Sequence, residues 1–276
     1  EKIAALEGTE ACCCFGSGMA AATAIFLSEL SCGDHAVISD VSYAGVAELV
    51  RDTLPRFGIE VDLVNMTDLS ALEAALKPNT KLVHVETPVN PLTRITDLAA
   101  VAKLAQDAGA RVSCDSTFAS PIATRPADYG VDYVMHSVTK YIGGHGDAIG
   151  GCVATTKALA KQLNVEATVH YGGVLSPFNA WLIARGAATL PIRMRAHEET
   201  ALTVAHWLDG HPKVSKVLYP GLTSHPQHEL ATRQMNNFSG MMAFQVGSEA
   251  DGERIAERMT TDLEVIHYAV SLGHHR

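Results

Sequence analysis

The sequence predicts an α/β fold, a mainly parallel sheet sandwiched by helices, followed by a smaller α+β unit. Three observations predict it. Short apolar segments alternate with longer helical stretches of roughly 10–15 residues, the pattern of βαβ units. The apolar segments run almost without polar interruption, as strands covered on both faces do. Apolar residues make up 47% of the chain and charged residues only 18%, below the roughly 25% usual for soluble domains. Much of this chain is therefore interior or interface, and disorder is excluded. At 276 residues, against about 150 per domain, two domains are expected.

The elements follow in order. Residues 10–14 pass for a strand, and 17–30 are Ala-rich and helical. Residues 36–39 form a short apolar strand, 46–57 a helix ended by Gly58, and 60–64 a β-rich segment. A helix over 69–76 is stopped by Lys77-Pro78-Asn79, and a strand over 81–86 by the Pro88/Pro91 turn. Residues 98–108 are helical, with Thr96 or Asp97 as cap and Gly109 at the end. Strands are predicted over 110–114, 133–136 and 151–155. After Pro177 the texture changes to a long helical stretch over 178–208, interrupted near Pro191. The remainder reads β (214–218), α (228–235), β (241–246), α (252–259) and β (264–267). We place a domain junction near residue 190, giving a large domain over 1–190 and a small one over 191–276.

A net charge of −9 and the lack of a basic cluster argue against a nucleic-acid partner. No apolar run approaches the roughly 18 residues of a membrane span, and no signal peptide is visible. The longest run, from Met19 to Leu27, is broken by Thr23. The chain begins at Glu1 inside a helical pattern and stops at Arg276 without a closing element, as a fragment of a longer protein would. Cys12, Cys13, Cys14, Cys32, Cys114 and Cys152 include a contiguous triplet and no C-x-x-C pair. They read as small buried hydrophobes of a reducing cytoplasm rather than a disulfide framework.

Gly16-Ser17-Gly18-Met19-Ala20-Ala21 matches G-x-G-x-x-A. A dinucleotide fingerprint needs a preceding core strand and an acid about 20 residues on; Asp34 and Asp40 are only loosely placed. The broader reading is a small-residue turn opening a helix whose free N–H groups suit a phosphate. Plain helix packing is the third. Asp115 ends a strand on the ligand side of a doubly wound sheet, Asn90 follows the strand ending at Glu86, and Ser137, Thr139 and Lys140 follow the strand ending at His136. Singly, each reads as a cap or a solvated side chain; together they mark a site. Lys140 stands between Ser137-Val138-Thr139 and a glycine-rich stretch, Gly143-Gly144-His145-Gly146-Asp147. A lysine that attacks carbonyls must spend time neutral, which desolvation favours. A pyridoxal site supplies that setting and needs a carboxylate for the ring nitrogen. Asp115, 25 residues earlier, is available.

The chain resembles the Cys/Met-metabolism (trans-sulfuration) family of PLP-dependent enzymes, which includes cystathionine γ-lyase and methionine γ-lyase. The resemblance is carried by Leu6-Glu7-Gly8, the Gly16–Ala21 segment, Glu86-Thr87-Pro88-Val89-Asn90-Pro91, Cys114-Asp115-Ser116-Thr117 and His136-Ser137-Val138-Thr139-Lys140-Tyr141. It continues through the glycine-rich stretch, Leu175-Ser176-Pro177, Tyr219-Pro220-Gly221-Leu222 and Val270-Ser271-Leu272-Gly273. It implies PLP fold type I with pyridoxal 5'-phosphate as cofactor. Lys140 would be the Schiff-base lysine, and Asp115 would keep the pyridine nitrogen protonated. Tyr43 would stack on the ring, Gly18 and Met19 would give N–H groups to the phosphate, and Ser137 and Thr139 their hydroxyls. Asn90 would contact the phenolic oxygen, and Ser271 would help bind the substrate carboxylate.

Two departures stand out. Ala44-Gly45 follows Tyr43 where methionine γ-lyases carry a cysteine. Their Lys-Asp pair before Leu-Ser-Pro is replaced by Thr168-Val169. The family's Tyr-x-Arg phosphate clamp, donated by a neighbouring subunit, falls before Glu1, and its carboxylate-binding arginine after Arg276. The implied activity is α,γ-elimination of a C–S bond in methionine, cystathionine or homocysteine, within trans-sulfuration. Tyr43 would protonate the departing sulfur. A free phenol, with pKa about 10, exchanges protons poorly at neutral pH, so that role needs a cationic neighbour. The swapped arginine is the candidate. The rival reading is γ-replacement, as in O-acetylhomoserine sulfhydrylase or cystathionine γ-synthase, which uses the same residues. A nicotinamide-binding Rossmann protein is a remote alternative that Lys140 and Asp115 oppose. The family further implies a cytoplasmic homodimer or homotetramer with active sites shared between subunits. His225-Pro226-Gln227-His228 and His274-His275 lack cysteine or carboxylate partners at zinc spacing and read as structural or surface residues.

Overall fold

The computed structural model describes residues 1–265, 269 and 271–274. Helix α1 (Lys2–Glu7) stops at Gly8, whose φ of 71° suits glycine. Strand β1 (Ala11–Phe15) turns into α2 (Gly18–Glu29), where the Ser17 side chain accepts the Ala20 N–H. Strand β2 (His35–Ser39) is followed by α3 (Ala44–Glu48) and β3 (Glu60–Val64). Helix α4 (Leu69–Ala75) is capped by Asp68 and leads to β4 (Thr80–Glu86). Helix α5 (Leu98–Asp107) is capped by Asp97, and β5 (Arg111–Asp115), the short α6 (Ser120–Ala123) and β6 (Tyr133–Ser137) follow. Next come β7 (Gly151–Thr155), α7 (Lys157–Leu163), α8 (Pro177–Gly186) and α9 (Leu190–Asp209). The last described elements are β8 (Val214–Leu218), α10 (His228–Gln234), β9 (Ala243–Val246) and α11 (Glu249–Met259).

Seven strands form one sheet in the order β1-β7-β6-β5-β4-β2-β3. β2 to β6 pair in parallel, whereas β7 runs antiparallel to both β6 and β1. Strand alternation sends neighbouring apolar residues to opposite faces. Ile38, Leu82 and Met135 pack with Phe15, Ile25 and Phe26 on the α2 side. Val37, Val83 and Val134 pack with Leu98, Val101 and Ala105 on the α5 side. This two-sided burial explains the near-continuous apolar strands: every residue of β2 is buried. Helix α5 presents Leu98, Val101, Ala102 and Ala105 to the sheet, the spacing of one helical face. Truncating Leu98 to Ala would cost about 2–5 kcal/mol.

Beyond the sheet, β8 and β9 form a two-stranded antiparallel pair. Helix α9 links the two regions. Its first turns place Leu190 and Met194 against Tyr141 and Ile142, and its later turns place Ala201 and Ala205 against Val217 and Tyr219. Pro191 sits in the first turn of α9, where its missing N–H costs nothing.

Several expectations need correction. The helix expected over 46–57 changes pitch, from α3 through a wide π turn, Leu49–Thr53, to a tight 3-10 turn, Leu54–Phe57. Pro55 lies in that last turn and has no N–H to give the preceding turn. The stretch over 178–208 does break near Pro191 as expected, but just ahead of it: α8 and α9 are joined by a 3-10 turn, Ala187–Thr189. The residues before the Gly16-Ser17-Gly18 turn form an antiparallel edge strand rather than a central parallel one. That removes the context a dinucleotide fingerprint requires. All six cysteines are free thiols, but only Cys114 and Cys152 are buried, while Cys14 and Cys32 are exposed. Cys14 stands on the edge strand, where no further strand covers it. Of the strand expected over 264–267, Ile266 and His267 lie outside the described residues, and Glu264 and Val265 are irregular.

Candidate active site

The parallel strands end together along one edge of the sheet, and the chain leaves that edge in different directions after β2 and after β4. Such a switch point opens a crevice. The turns that line it carry the candidate residues: Tyr43 after β2, Asn90 after β4, Asp115 at the end of β5, and Ser137, Thr139 and Lys140 after β6. With Gly18 and Met19 from the start of α2, all of these line a single cavity of about 240 Å³. Ser271 lines the adjoining cavity, which shares Thr139 and Ile149 with the first.

Asp115 is buried at 6% exposure and accepts the Thr117 N–H at 2.9 Å. Burial raises its pKa, while the Thr117 hydrogen bonds and the nearby His136 work the other way. His136 is itself held by Glu7, so α1 is tied to the strand beside Asp115. Glu86 stands directly across from Asp115 in the β4–β5 register. Two buried carboxylates therefore meet at one strand edge. Burial and the Asp115 charge push the Glu86 pKa up, and the backbone donors at Asn90 and Tyr43 pull it down.

Lys140 follows β6 in a turn closed by its own N–H donating to the Ser137 carbonyl at 3.1 Å. The next loop is anchored from α9, where the Arg193 guanidinium donates to the Tyr141 carbonyl at 2.7 Å and to the Gly186 carbonyl at 3.0 Å. A Cβ on Gly186 would lie 1.9 Å from the Gly143 carbonyl oxygen, so only glycine lets α8 approach this loop. The Lys140 ammonium donates to the Ser271 hydroxyl at 2.7 Å. Burial lowers the Lys140 pKa, raising the fraction of neutral amine.

At the other end of the cavity, α2 begins. Its first N–H groups, on Gly18 and Met19, have no carbonyl partner within the helix. The Gly18 backbone presses on Ser137: a Cβ there would sit 2.8 Å from the Ser137 Cβ. The Thr139 hydroxyl accepts the Gly150 N–H at 3.1 Å, and the Ser137 N–H donates to the Thr117 hydroxyl at 2.8 Å.

These residues fit pyridoxal phosphate by the chemistry of the donor set. A buried carboxylate suits a protonated ring nitrogen, a desolvated lysine suits an aldehyde, and a helix N-terminus with a hydroxyl suits a phosphate. Sequence reasoning named Asp115, Lys140 and the glycine turn, and missed Glu86, Thr117 and Ile149 as cavity residues. Glu86 and Thr117 lie inside the motifs that hold Asn90 and Asp115, which is the only signal the sequence offered for them. Among the histidines, His225 accepts the Gln227 N–H through Nδ1 and His228 bonds the Pro220 carbonyl, so both hold a turn. His275 lies outside the described residues.

Comparison with known proteins gives consistent matches. The family described as Cys/Met metabolism PLP-dependent enzyme matches residues 1–276. A canavanine gamma-lyase of Pseudomonas canavaninivorans is 44% identical over 277 residues, covering 99% of this chain and 68% of that protein. A cystathionine gamma-synthase of Mycobacterium tuberculosis is 42% identical, covering 99% and 69%. The crystal structure of cystathionine gamma-lyase from Lactobacillus plantarum complexed with L-serine superimposes with a TM-score of 0.93 at 40% identity, covering 99% of this chain and 70% of that one.

Proposed function

The chain belongs to the Cys/Met-metabolism family of PLP-dependent enzymes, and within it we propose that it is a carbon–sulfur lyase. Its substrate would be a sulfur amino acid (methionine, cystathionine or homocysteine), cleaved by α,γ-elimination in trans-sulfuration. One observation carries this reading: a desolvated Lys140 amine shares one cavity with a buried Asp115 carboxylate. The names of two relatives, a gamma-lyase and a gamma-synthase, support chemistry at Cγ.

Bound pyridoxal phosphate supplies an aldehyde that takes up the substrate amine and a ring that accepts the electron pair from Cα. Asp115 keeps a proton on the ring nitrogen. Lys140 would take the Cα proton through Nζ, and its lowered pKa favours that basic form. The same amine would hand that proton on to the cofactor and only then take one from Cβ, and the Tyr43 hydroxyl would protonate the departing sulfur. Water releases a 2-oxo acid and ammonia. The N–H groups of Gly18 and Met19, with the hydroxyls of Ser137 and Thr139, hold the phosphate. Asn90 would contact the phenolic oxygen, and Ser271, 2.7 Å from Lys140, would help seat the substrate carboxylate.

A second reading, γ-replacement, is favoured by the gamma-synthase relative. It shares every step up to loss of the γ-substituent, after which a thiol adds. A product assay separates the two. The holoenzyme is offered methionine, cystathionine and homocysteine singly, then O-acetylhomoserine with sulfide. A 2-oxo acid with ammonia from the first set supports elimination, whereas a thiol product from the second alone overturns it.

We further propose two structural units, 1–190 and 191–276, and a homodimer or homotetramer with shared sites. Supporting assembly, Tyr171, Val174, Phe178 and Trp181 are exposed, and α8 is tied to the cavity wall by Asn179, which donates to the Ile149 carbonyl at 2.9 Å. Exposed apolar groups in contact, as the Phe178 and Trp181 rings are, mark an interaction surface. Among the described residues no helix is long and apolar enough to cross a membrane, and we propose a cytoplasmic location.

A further inference from the structure

We propose that Glu86 is a positioning residue, whose single buried carboxylate clips together the two loops that carry Tyr43 and Asn90 and so sets the gap for the cofactor ring. The proposal rests on the reading above, in which those two side chains face the ring.

The geometry is specific. Glu86 is 4% exposed. Its Oε2 accepts the Tyr43 N–H at 2.7 Å and its Oε1 accepts the Asn90 N–H at 2.8 Å. The first donor belongs to the loop after β2, the second to the loop after β4. One side chain therefore fixes the separation of two segments 47 positions apart in the chain. The same loops are tied again further out, where the Arg94 guanidinium donates to the Asp40 carboxylate at 2.7 Å.

Only a carboxylate does this well. When ionised it accepts at both oxygens and offers no donor, whereas an amide would turn an NH₂ against one of the N–H groups. The position is also costly, since Glu86 is buried and stands across from Asp115 in register. Nothing in the strand itself needs a charge there. A protonated ring nitrogen facing Asp115 offsets the repulsion between the two carboxylates, so the clip is most favourable when the cofactor is in place. Glu86 itself is placed to touch the loops rather than the reacting atoms.

The test is a mutant cycle on the full-length enzyme. Glu86→Gln is made alone and in the Tyr43→Ala/Asn90→Ala background. The readouts are cofactor affinity of the apoenzyme, circular dichroism in the cofactor absorption band, and thermal unfolding. In the wild-type background Glu86→Gln should weaken cofactor binding roughly tenfold or more and shrink the cofactor dichroism. In the double-variant background it should change affinity less than about threefold, because the side chains it positions are gone. An equal loss in both backgrounds, or a lowered unfolding temperature with unchanged dichroism, shows a merely structural carboxylate and overturns the proposal. If Glu86→Gln does not fold, Glu86→Asp, one methylene short of spanning both loops, must show the same non-additive pattern, and additivity again overturns it. Unchanged cofactor binding in Tyr43→Ala/Asn90→Ala itself refutes the reading of the ring site, and the clip with it.

Discussion

Replacing Gly18 with Ala tests the phosphate end of the site. A Cβ at this position would lie 2.8 Å from the Ser137 Cβ, 3.0 Å from its Oγ and 3.2 Å from its Cα. Carbon atoms prefer separations of about 3.5–4.0 Å, so α2 and the Ser137 turn must move apart. Overpacking of this kind costs about 1–3 kcal/mol. Alanine returns at most about 1 kcal/mol of helix propensity, and less at the first helical position, so the clash wins. The same movement separates the Gly18 and Met19 N–H groups from the Ser137 hydroxyl, which in the proposed site together hold the phosphate. Losing one hydrogen bond to a charged group, about 1.5–3 kcal/mol, predicts roughly 10- to 150-fold weaker cofactor binding. Titration of apoenzyme with pyridoxal phosphate, followed by visible absorbance, measures the affinity, and thermal unfolding separates it from stability. In a Ser137→Gly background the nearest obstacle is gone, so Gly18→Ala should cost much less stability. Cofactor affinity within threefold of wild type for Gly18→Ala would refute the reasoning.

Other outcomes follow from the same geometry. Lys140→Ala should fold yet fail to give the yellow, borohydride-bleached form; turnover at the wild-type rate would exclude Lys140 as the reactive amine. Burial lowers the Lys140 pKa, so the neutral amine persists to lower pH than for a free lysine. Covalent capture of pyridoxal phosphate by apoenzyme should rise with pH through a midpoint below the ordinary 10.5, and a midpoint at or above that value would contradict the burial argument. Asp115→Asn should slow turnover by about 10²-fold or more, as removal of an electrostatic partner does elsewhere; a loss under threefold would place the ring-nitrogen partner elsewhere. If sites are shared between subunits across an interface above about 2,000 Å², dilution should remove activity and cofactor together. A fully active monomer in sedimentation would sink that assembly.

The alternation of strands and helices was legible because two-sided burial leaves near-continuous apolar runs, as in β2 and β7, and because caps are local. Asp97 stops or starts a helix whatever surrounds it, and here it accepts the Ala100 N–H as a cap should. The polar residues directly after apolar strands, Asp115 and Lys140 above all, were legible for a related reason. Parallel strands must end on one edge, so strand ends converge whatever their order. The order itself was not readable. Backbone pairing carries little side-chain signature, and nothing in Gly151–Thr155 says that it runs antiparallel between β6 and β1. That orientation is what removed the glycine turn from a dinucleotide setting. Nor did composition distinguish Glu86 from any acid at a strand end. Its two acceptor contacts come from loops whose separation only the folded sheet sets. The same holds for Glu7 and His136, 129 residues apart and paired only when α1 packs beside β6. What the chain determined by itself is therefore local: caps, periodicity, and the residue types that pyridoxal chemistry needs. What tertiary structure decided is which distant groups share one buried space, because burial and hydrogen-bond partnership are properties of contacts that no single segment contains.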